Sequence, residues 1–489
     1  MTGLRETTIR GVAWSLYGRV GTQVLQYGVS ILMARVLSPS DFGRVGMVTV
    51  LTAFASVFVD FGIGAAVLER RDLSDEQTDA AFSLTLAVGV AMTAILVSLA
   101  PLVATFYRSP ALASLARVSA LGFTLSSFGI VPRALLQRKL EVKRLAIIDF
   151  TGAGIGCLVG AALTLAGAGI WAIVFMPLAG SGSVAVLAFI RSGWRPTRLF
   201  RFGAAKPLLR VSAHLLLFNI INYWARSLDN LLVGKRLGER ELGYYARAYS
   251  VMLLPLSQIN GVLGAGVLPA MAHAAADKAR VLRGYLDAMK MIAFVCLPTM
   301  TGLTLVAGPF VRTIYGEQWI PVIPILRVLA MLGFLQSLSS PTGWIYVSQG
   351  RTDRMARWGF GACSMLILAI IIGAWMGSAL KVAWAYLIAN VILVPIGIAY
   401  AGELIGLTLP ALFRAIIPSV VATIGMAMVV AAVVLALPSD WRPGFRLAIP
   451  VLAGVITYTA FSHLLRNPAW AEMRTFMKAR LGGLRARIG

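Results

Sequence analysis

The sequence predicts an all-α membrane fold of fourteen transmembrane helices: two pseudo-symmetric six-helix lobes, related as a parallel repeat, and two C-terminal helices. Three observations carry this: an apolar composition, loop charge that is heavy on one side, and an internal repeat. Of 489 residues, 58% are hydrophobic and 13% charged, where soluble domains run near half and a quarter. Apolar runs able to cross a hydrocarbon core of roughly 30 Å recur along the whole chain. They place helices near 9–36, 42–68, 78–106, 111–134, 144–166 and 168–190, and after a basic stretch from Arg191 to Arg210 near 208–234, 240–270, 284–313, 320–348, 356–377 and 380–401. The last two lie near 411–437 and 446–465. The domains read from this pattern are an N-terminal lobe (1–190), a basic cytoplasmic linker (191–207), a C-terminal lobe (208–405), helices 13 and 14 (406–465) and a basic cytoplasmic tail (466–489).

Orientation follows from the Lys and Arg residues, which cytoplasmic loops retain during insertion. Of the 44, 28 fall in one set of alternate loops, nine in the other and seven within spans. The heavy side includes both termini, so both are expected in the cytoplasm, which requires an even number of helices. Arg5 and Arg10 precede a first span that carries Arg19 and two glutamines and lacks a small-residue cleavage site, unlike a secretory signal peptide.

The repeat appears at a shift of 200 residues. Ile31-Leu-Met-Ala-Arg-Val-Leu37 faces Leu231-Leu-Val-Gly-Lys-Arg-Leu237, and Asp41-Phe-Gly43 faces Glu241-Leu-Gly243. A weaker echo links Gln137-Arg-Lys139 through Lys143 with Ser348-Gln-Gly-Arg351 through Arg354. Six helices per repeat give both halves the same orientation, which implies a pathway between two lobes, as in transporters built from parallel halves.

A formal charge of +24 would suit a nucleic-acid binder only if the basic residues shared an exposed face with interleaved aromatics; here they sit in short loops, so no nucleic-acid partner is expected. Cys157, Cys296 and Cys363 lie inside expected spans and form neither a disulfide framework nor a zinc spacing. The histidines, His214, His273 and His463, are scattered, no phosphate-cradling P-loop occurs, and no outward loop is large enough for a glycosyltransferase or polymerase site. No enzyme and no cofactor are expected.

Ionisable groups inside spans cost roughly 2.5–3.5 kcal/mol on insertion scales and face a wet cavity or a partner. Helix 1 presents Arg19, Gln23, Gln26 and Ser30 on one face, and helix 7 presents Asn219, Asn222, Arg226, Asp229 and Asn230 on a comparable face. Under the repeat shift Arg19 meets Asn219, Gln26 meets Arg226 and Ser30 meets Asn230. Either the stripes line an interlobe cavity for an anionic, hydroxyl-rich cargo, or they pack lobe against lobe, with Arg226 and Asp229 neutralising each other. Asp60, among glycines in helix 2, is a proton or cation site or else a helix-bundle hydrogen bond. For Asp149, snorkelling or packing is the preferred reading. Tyr244, Tyr245, Arg247 and Tyr249 read as an aromatic belt, with sugar stacking as the alternative. The tail from Trp470 suits an interfacial helix on an anionic leaflet.

Several segments resemble one family. Ala34-Arg-Val-Leu-Ser-Pro-Ser-Asp-Phe-Gly43, Asp60-Phe-Gly-Ile-Gly-Ala-Ala-Val-Leu-Glu69, Leu73-Ser-Asp-Glu-Gln77, Gly193-Trp-Arg-Pro196, Gly243-Tyr-Tyr-Ala-Arg-Ala-Tyr249 and Gly316-Glu-Gln-Trp319 are similar to the Wzx-type polysaccharide flippases. These exporters of lipopolysaccharide, colanic-acid-like and teichuronic-acid-like units belong to the multidrug, oligosaccharidyl-lipid and polysaccharide exporter superfamily. The resemblance runs from about residue 9 to about residue 400. It implies two six-helix lobes around a positively charged cavity, alternating access, and a polyprenyl-diphosphate-linked oligosaccharide carried from the cytoplasmic to the periplasmic leaflet of the bacterial inner membrane for exopolysaccharide or lipopolysaccharide assembly. Arg19 and Arg226 would then meet the diphosphate or acidic sugars, Gln23, Gln26, Asn219 and Asn222 the hydroxyls, with Asn230 on the same stripe. Asp60 or Asp229 would hold a coupling proton or sodium ion. Partners would be the lipid-linked oligosaccharide, membrane lipids, and a polysaccharide polymerase with its export machinery. The alternatives are a multidrug antiporter or peptidoglycan-precursor flippase of the same superfamily and, further off, a membrane polymerase or glycosyltransferase. A cationic-drug exporter would want acidic residues in its cavity, whereas these stripes are net basic.

Overall fold

A computed structural model describes residues 2–60, 63–69, 74–197, 223–224, 227–438 and 440–475 of the chain, without the side chains of residues 2–17, Arg19, Asp60, Ala65, Glu69, Val262 and Ala265. The described residues are helices and their connections, with no strand. In chain order the helices are α1 (Thr2–Val36), α2 (Pro39–Asp60), α3 (Ile63–Glu69), α4 (Asp75–Tyr107), α5 (Ala111–Arg138), α6 (Val142–Leu165), α7 (Trp171–Ser192) and α8 (227–237). After them come α9 (Glu239–His273), α10 (Lys278–Ile314), α11 (Val322–Ser339), α12 (Thr342–Ser348), α13 (Thr352–Trp375), α14 (Ala379–Gly402), α15 (Leu409–Ala436), α16 (Pro443–Leu464) and the short α17 (468–475).

Among the described residues eleven spans are long and apolar enough to cross a membrane, and α9, bent by 44° between Gly261 and Gly266, makes a twelfth. The chain is therefore a multi-pass membrane protein. α1 stands where the first span was expected, and it is long enough, but its polar stripe keeps it out of that set. The seventh expected span, near 208–234, lies largely outside the described residues.

Helix lengths recur along the chain. α4, α5, α6 and α7 have 33, 28, 24 and 22 residues; α10, the span Val322–Ser348, α13 and α14 have 37, 27, 24 and 24. α2 begins at Pro39 and α9 at Glu239, the 200-residue shift of the sequence repeat.

By contacts the chain divides into two compact units, Met1–Gly243 and Tyr244–Gly489. The division falls within α9, later than the basic stretch at 191–207, because Tyr223 and α8 are fastened to the first unit. The Tyr223 hydroxyl donates to the Val50 carbonyl and the Lys235 ammonium to the Phe106 carbonyl. Gly234 lies flat on Met47 and Tyr107.

Within the first unit, small residues bring helices close, as expected where lipid offers no hydrophobic drive to helix association. α1 lies along α6 with Gly18 on Ala146 and Gly21 on Phe150, and Met33 sits over Gly160. α6 meets α7 at Gly152 and Gly156, where a Cβ would come within 2.3 Å of Val184 and 2.6 Å of the Met176 carbonyl. α4 and α5 share a hydroxyl bond, Thr93 to Thr124 at 2.9 Å.

The second unit is built on α10. Tyr285, Met289, Ile292 and Leu297 are fully buried in one cluster with Ile345, Val394, Ile398 and Ile416. Phe294 anchors another cluster with Met426, Val430 and Tyr458, and the Tyr458 hydroxyl donates to the Phe294 carbonyl at 2.7 Å.

Candidate substrate-binding site

The family-like motifs dock in pairs and hold the ends of the helices. Ser74 and Gln77 cap α4 reciprocally. One turn on, buried Asp79 accepts from the Thr197 backbone N–H at 3.0 Å and its hydroxyl at 2.8 Å, while Trp194 packs on Phe82 at 5.3 Å between ring centres. The first turns of α4 thus hold the segment from Trp194 to Thr197. In the second unit Trp319 is fully buried, with Tyr244 edge-on at 6.3 Å and the Arg247 guanidinium over both Tyr315 and Trp319. Tyr244 and Tyr245 are likewise buried. The expected aromatic belt is instead a core, because a motif about 70 residues downstream supplies the surface these rings pack on.

A third pairing joins the two halves of the sequence repeat. α2 and α9 cross at their first turns, within the first unit. A Cβ on Gly43 would stand 1.6 Å from the Glu239 carbonyl oxygen, and one on Gly243 2.0 Å from that of Pro39. Only glycine fits at either position. Arg44 adds a bidentate pair with Glu239, Nε to Oε2 at 2.7 Å and Nη2 to Oε1 at 2.6 Å.

Of the residues expected to meet cargo, Asn219, Asn222 and Arg226 lie outside the described residues, as do the side chains of Arg19 and Asp60. Gln23 is half-buried and Gln26 exposed. Gly18 and Gly21, which touch α6, set the packed face of α1; at about 100° per residue Gln23 and Gln26 lie about a third of a turn or more from it. Asp229 is 4% exposed, and its Oδ1 accepts from the Asn230 backbone N–H at 2.7 Å. The Asn230 carboxamide oxygen is buried without a partner among the described residues.

A cavity of about 580 Å³ in the first unit opens among α3, α5 and α7, and Gly64, Ser126, Gly129, Arg133, Gln137 and Ser181 are among the residues that line it. Its cation is Arg133, whose guanidinium pairs in bidentate fashion with Asp149 on α6, Nη1 to Oδ1 and Nη2 to Oδ2. The two side chains remain 36% and 48% exposed. Phe150, next to Asp149, rests on Gly21 of α1, which sets this pair at the height of the Arg19 and Gln23 stretch. The expected helix ended near 134, at Arg133, whereas α5 runs to Arg138 and carries Arg133 within its last turns. An Arg and an Asp on either side of a short turn were the available signal. Among the described residues no group of His, Cys, Asp and Glu could hold a metal ion.

The motif-bearing segments match the model of the "Polysaccharide biosynthesis protein" family over residues 32–324, more than half of the chain. The chain belongs to this family. Within the family, the teichuronic acid biosynthesis protein TuaB of Bacillus subtilis is 28% identical over 94% of this chain and 95% of its own length. The lipopolysaccharide biosynthesis protein WzxC of Escherichia coli is 27% identical over 80% of each chain. The succinoglycan biosynthesis transport protein ExoT of Rhizobium meliloti is 25% identical over 67% of this chain and 66% of its own. Among solved structures, the lipid II flippase MurJ in an inward closed conformation shares the fold with a TM-score of 0.74 at 15% identity, covering 93% of this chain and 98% of its own. An inward-facing MATE family transporter of the MOP superfamily follows at 0.65 and 17% identity, covering 80% and 96%.

Proposed function

We propose that the chain is a flippase, not an enzyme, that carries a polyprenyl-diphosphate-linked oligosaccharide repeat unit from the cytoplasmic to the periplasmic leaflet of a bacterial inner membrane, for exopolysaccharide or lipopolysaccharide assembly. The observation that carries the reading is similarity to TuaB over 94% of the chain and to WzxC over 80%, together with a MurJ-like fold. Fourteen helices in two six-helix lobes plus two more, working by alternating access with both termini cytoplasmic, are the architecture this reading requires. The basic excess on one loop face and the recurring helix lengths support it.

Arg133 joins Arg19 and Arg226 as a cation for the diphosphate or acidic sugars, with Gln23, Gln26, Gln137, Asn219, Asn222 and Asn230 for hydroxyls. An exposed ion pair is worth about 1 kcal/mol or less, so an incoming phosphate can replace Asp149 on Arg133 at little cost, and a guanidinium binds phosphate as it binds carboxylate, through two parallel N–H groups. Asp229 or Asp60 is assigned the coupling proton or sodium ion, and a polymerase with its export machinery would receive the cargo.

Deleting the gene tests this. Lipid-linked oligosaccharide should accumulate on the cytoplasmic leaflet while surface polymer disappears. Polymer loss without that accumulation would assign the chain to a step other than flipping.

A further inference from the structure

α16, a candidate membrane span, ends at Leu464. Arg466 then turns the chain with φ 47°, and α17 folds back against the second unit. The elbow is firmly built. Asn467 is buried; its side-chain N–H donates to the Ser419 hydroxyl at 3.1 Å and its carboxamide oxygen accepts from the Ala469 N–H at 3.1 Å. Ala469 is buried in the Phe294 cluster, Trp470 and Met473 pack against it, and the Trp470 ring stacks on Phe294 at 6.2 Å.

This frame leaves a 350 Å³ cavity on the other side, lined by His463, Arg466, Trp470, Arg474 and Thr475 among others. Its charge is one-sided. Elsewhere in the unit Arg312 pairs with Glu317, Arg351 and Arg357 with Asp353, and Arg354 with Glu403. Among the described residues neither Arg466 nor Arg474 pairs with a carboxylate. Glu472 is two residues from Arg474, a spacing that puts them on different faces of a helix. The Trp470 indole N–H is also buried and, among the described residues, without an acceptor, a state that native structures usually resolve with a water or a ligand. Leu464 and Leu465, beside the cavity, are 75% and 42% exposed.

We propose that the elbow between α16 and α17 is a binding site for the phosphodiester headgroup of an anionic bilayer lipid. Arg466 and Arg474 take the phosphate oxygens, the Trp470 N–H and His463 supply further donors, and the acyl chains run along Leu464. Two guanidinia, an indole N–H and an adjoining apolar helix end, at the depth where a span meets water, match a phosphate attached to a lipid tail. A free phosphate has no use for the leucines.

The test uses the full chain in phosphatidylcholine nanodiscs, titrated with phosphatidylglycerol and read by native mass spectrometry and thermal unfolding. Phosphatidylglycerol should be retained and should raise the Tm. The variant Arg466→Gly/Arg474→Gln keeps the elbow, since glycine favours positive φ, and removes both charges. It should keep its Tm in neutral lipid while retaining about tenfold less phosphatidylglycerol, the equivalent of one lost charge-assisted contact. Equal retention by the variant overturns the proposal. So does inorganic phosphate competing as well as the lipid, or a polyprenyl diphosphate displacing it preferentially, the latter giving the site to the cargo.

Discussion

Arg133 and Asp149 lie 16 residues apart on either side of a turn, and each alone looks like a charge snorkelling at a helix end. Only the close packing of α6 and α7 on α5 brings them together beside a cavity, and that packing rests on contacts remote in sequence. The residue types were legible; the pairing was not. If Arg133 receives the anionic cargo, Arg133→Gln should cut export at least about tenfold with normal membrane insertion. Asp149→Asn, which leaves the guanidinium unclaimed, should preserve export. Both variants are read by the rate at which lipid-linked oligosaccharide reaches the outer leaflet, and full export with Arg133→Gln would remove this residue from the site.

At the scale of elements, the sequence motifs prove to be fasteners. Asp79 with Thr197, Trp319 with Tyr244, and Gly43 with Glu239 each join two helix ends distant in the chain. Their local signals were readable, such as the Ser74 and Gln77 cap, but their partners were not, since a single sequence does not say which motif docks on which. The Gly43 crossing gives a sharp expectation. Gly43→Ala would drive a methyl group into a backbone oxygen that has nowhere to move, so it should destabilise the protein by about 1–3 kcal/mol, seen as a lower Tm in detergent. Gly28→Ala, whose Cβ would meet nothing within 4 Å, is the matched control and should be neutral or slightly stabilising. Equal Tm values for the two variants would refute the crossing.

For the whole molecule, hydropathy sufficed for eleven of the expected spans, with the bent α9 as a twelfth, because a span's length is imposed by the bilayer and not by the partners it packs on. Where the two readings part, at α1 and α8, polar stripes or undescribed residues intervene. Topology can be measured directly. In a background lacking Cys157, Cys296 and Cys363, a cysteine at Ser109, between α4 and α5, should react with an impermeant maleimide in intact cells. One at Leu140, between α5 and α6, should react only after permeabilisation. The reverse pattern would invert the orientation read from loop charge.

The crossing of α2 and α9 has one more property. Residue 43 touches 239 while residue 243 touches 39, so that each contact is the other with the two halves of the repeat exchanged. Reciprocity of this kind is what an isologous homodimer interface displays about its two-fold axis, here kept inside one polypeptide. Joining two copies in a single chain lets them diverge. The counterpart of Arg44 is Tyr244, and that of Glu239 is Pro39, so the bidentate ion pair forms once, where two identical subunits would have had to form it twice or not at all.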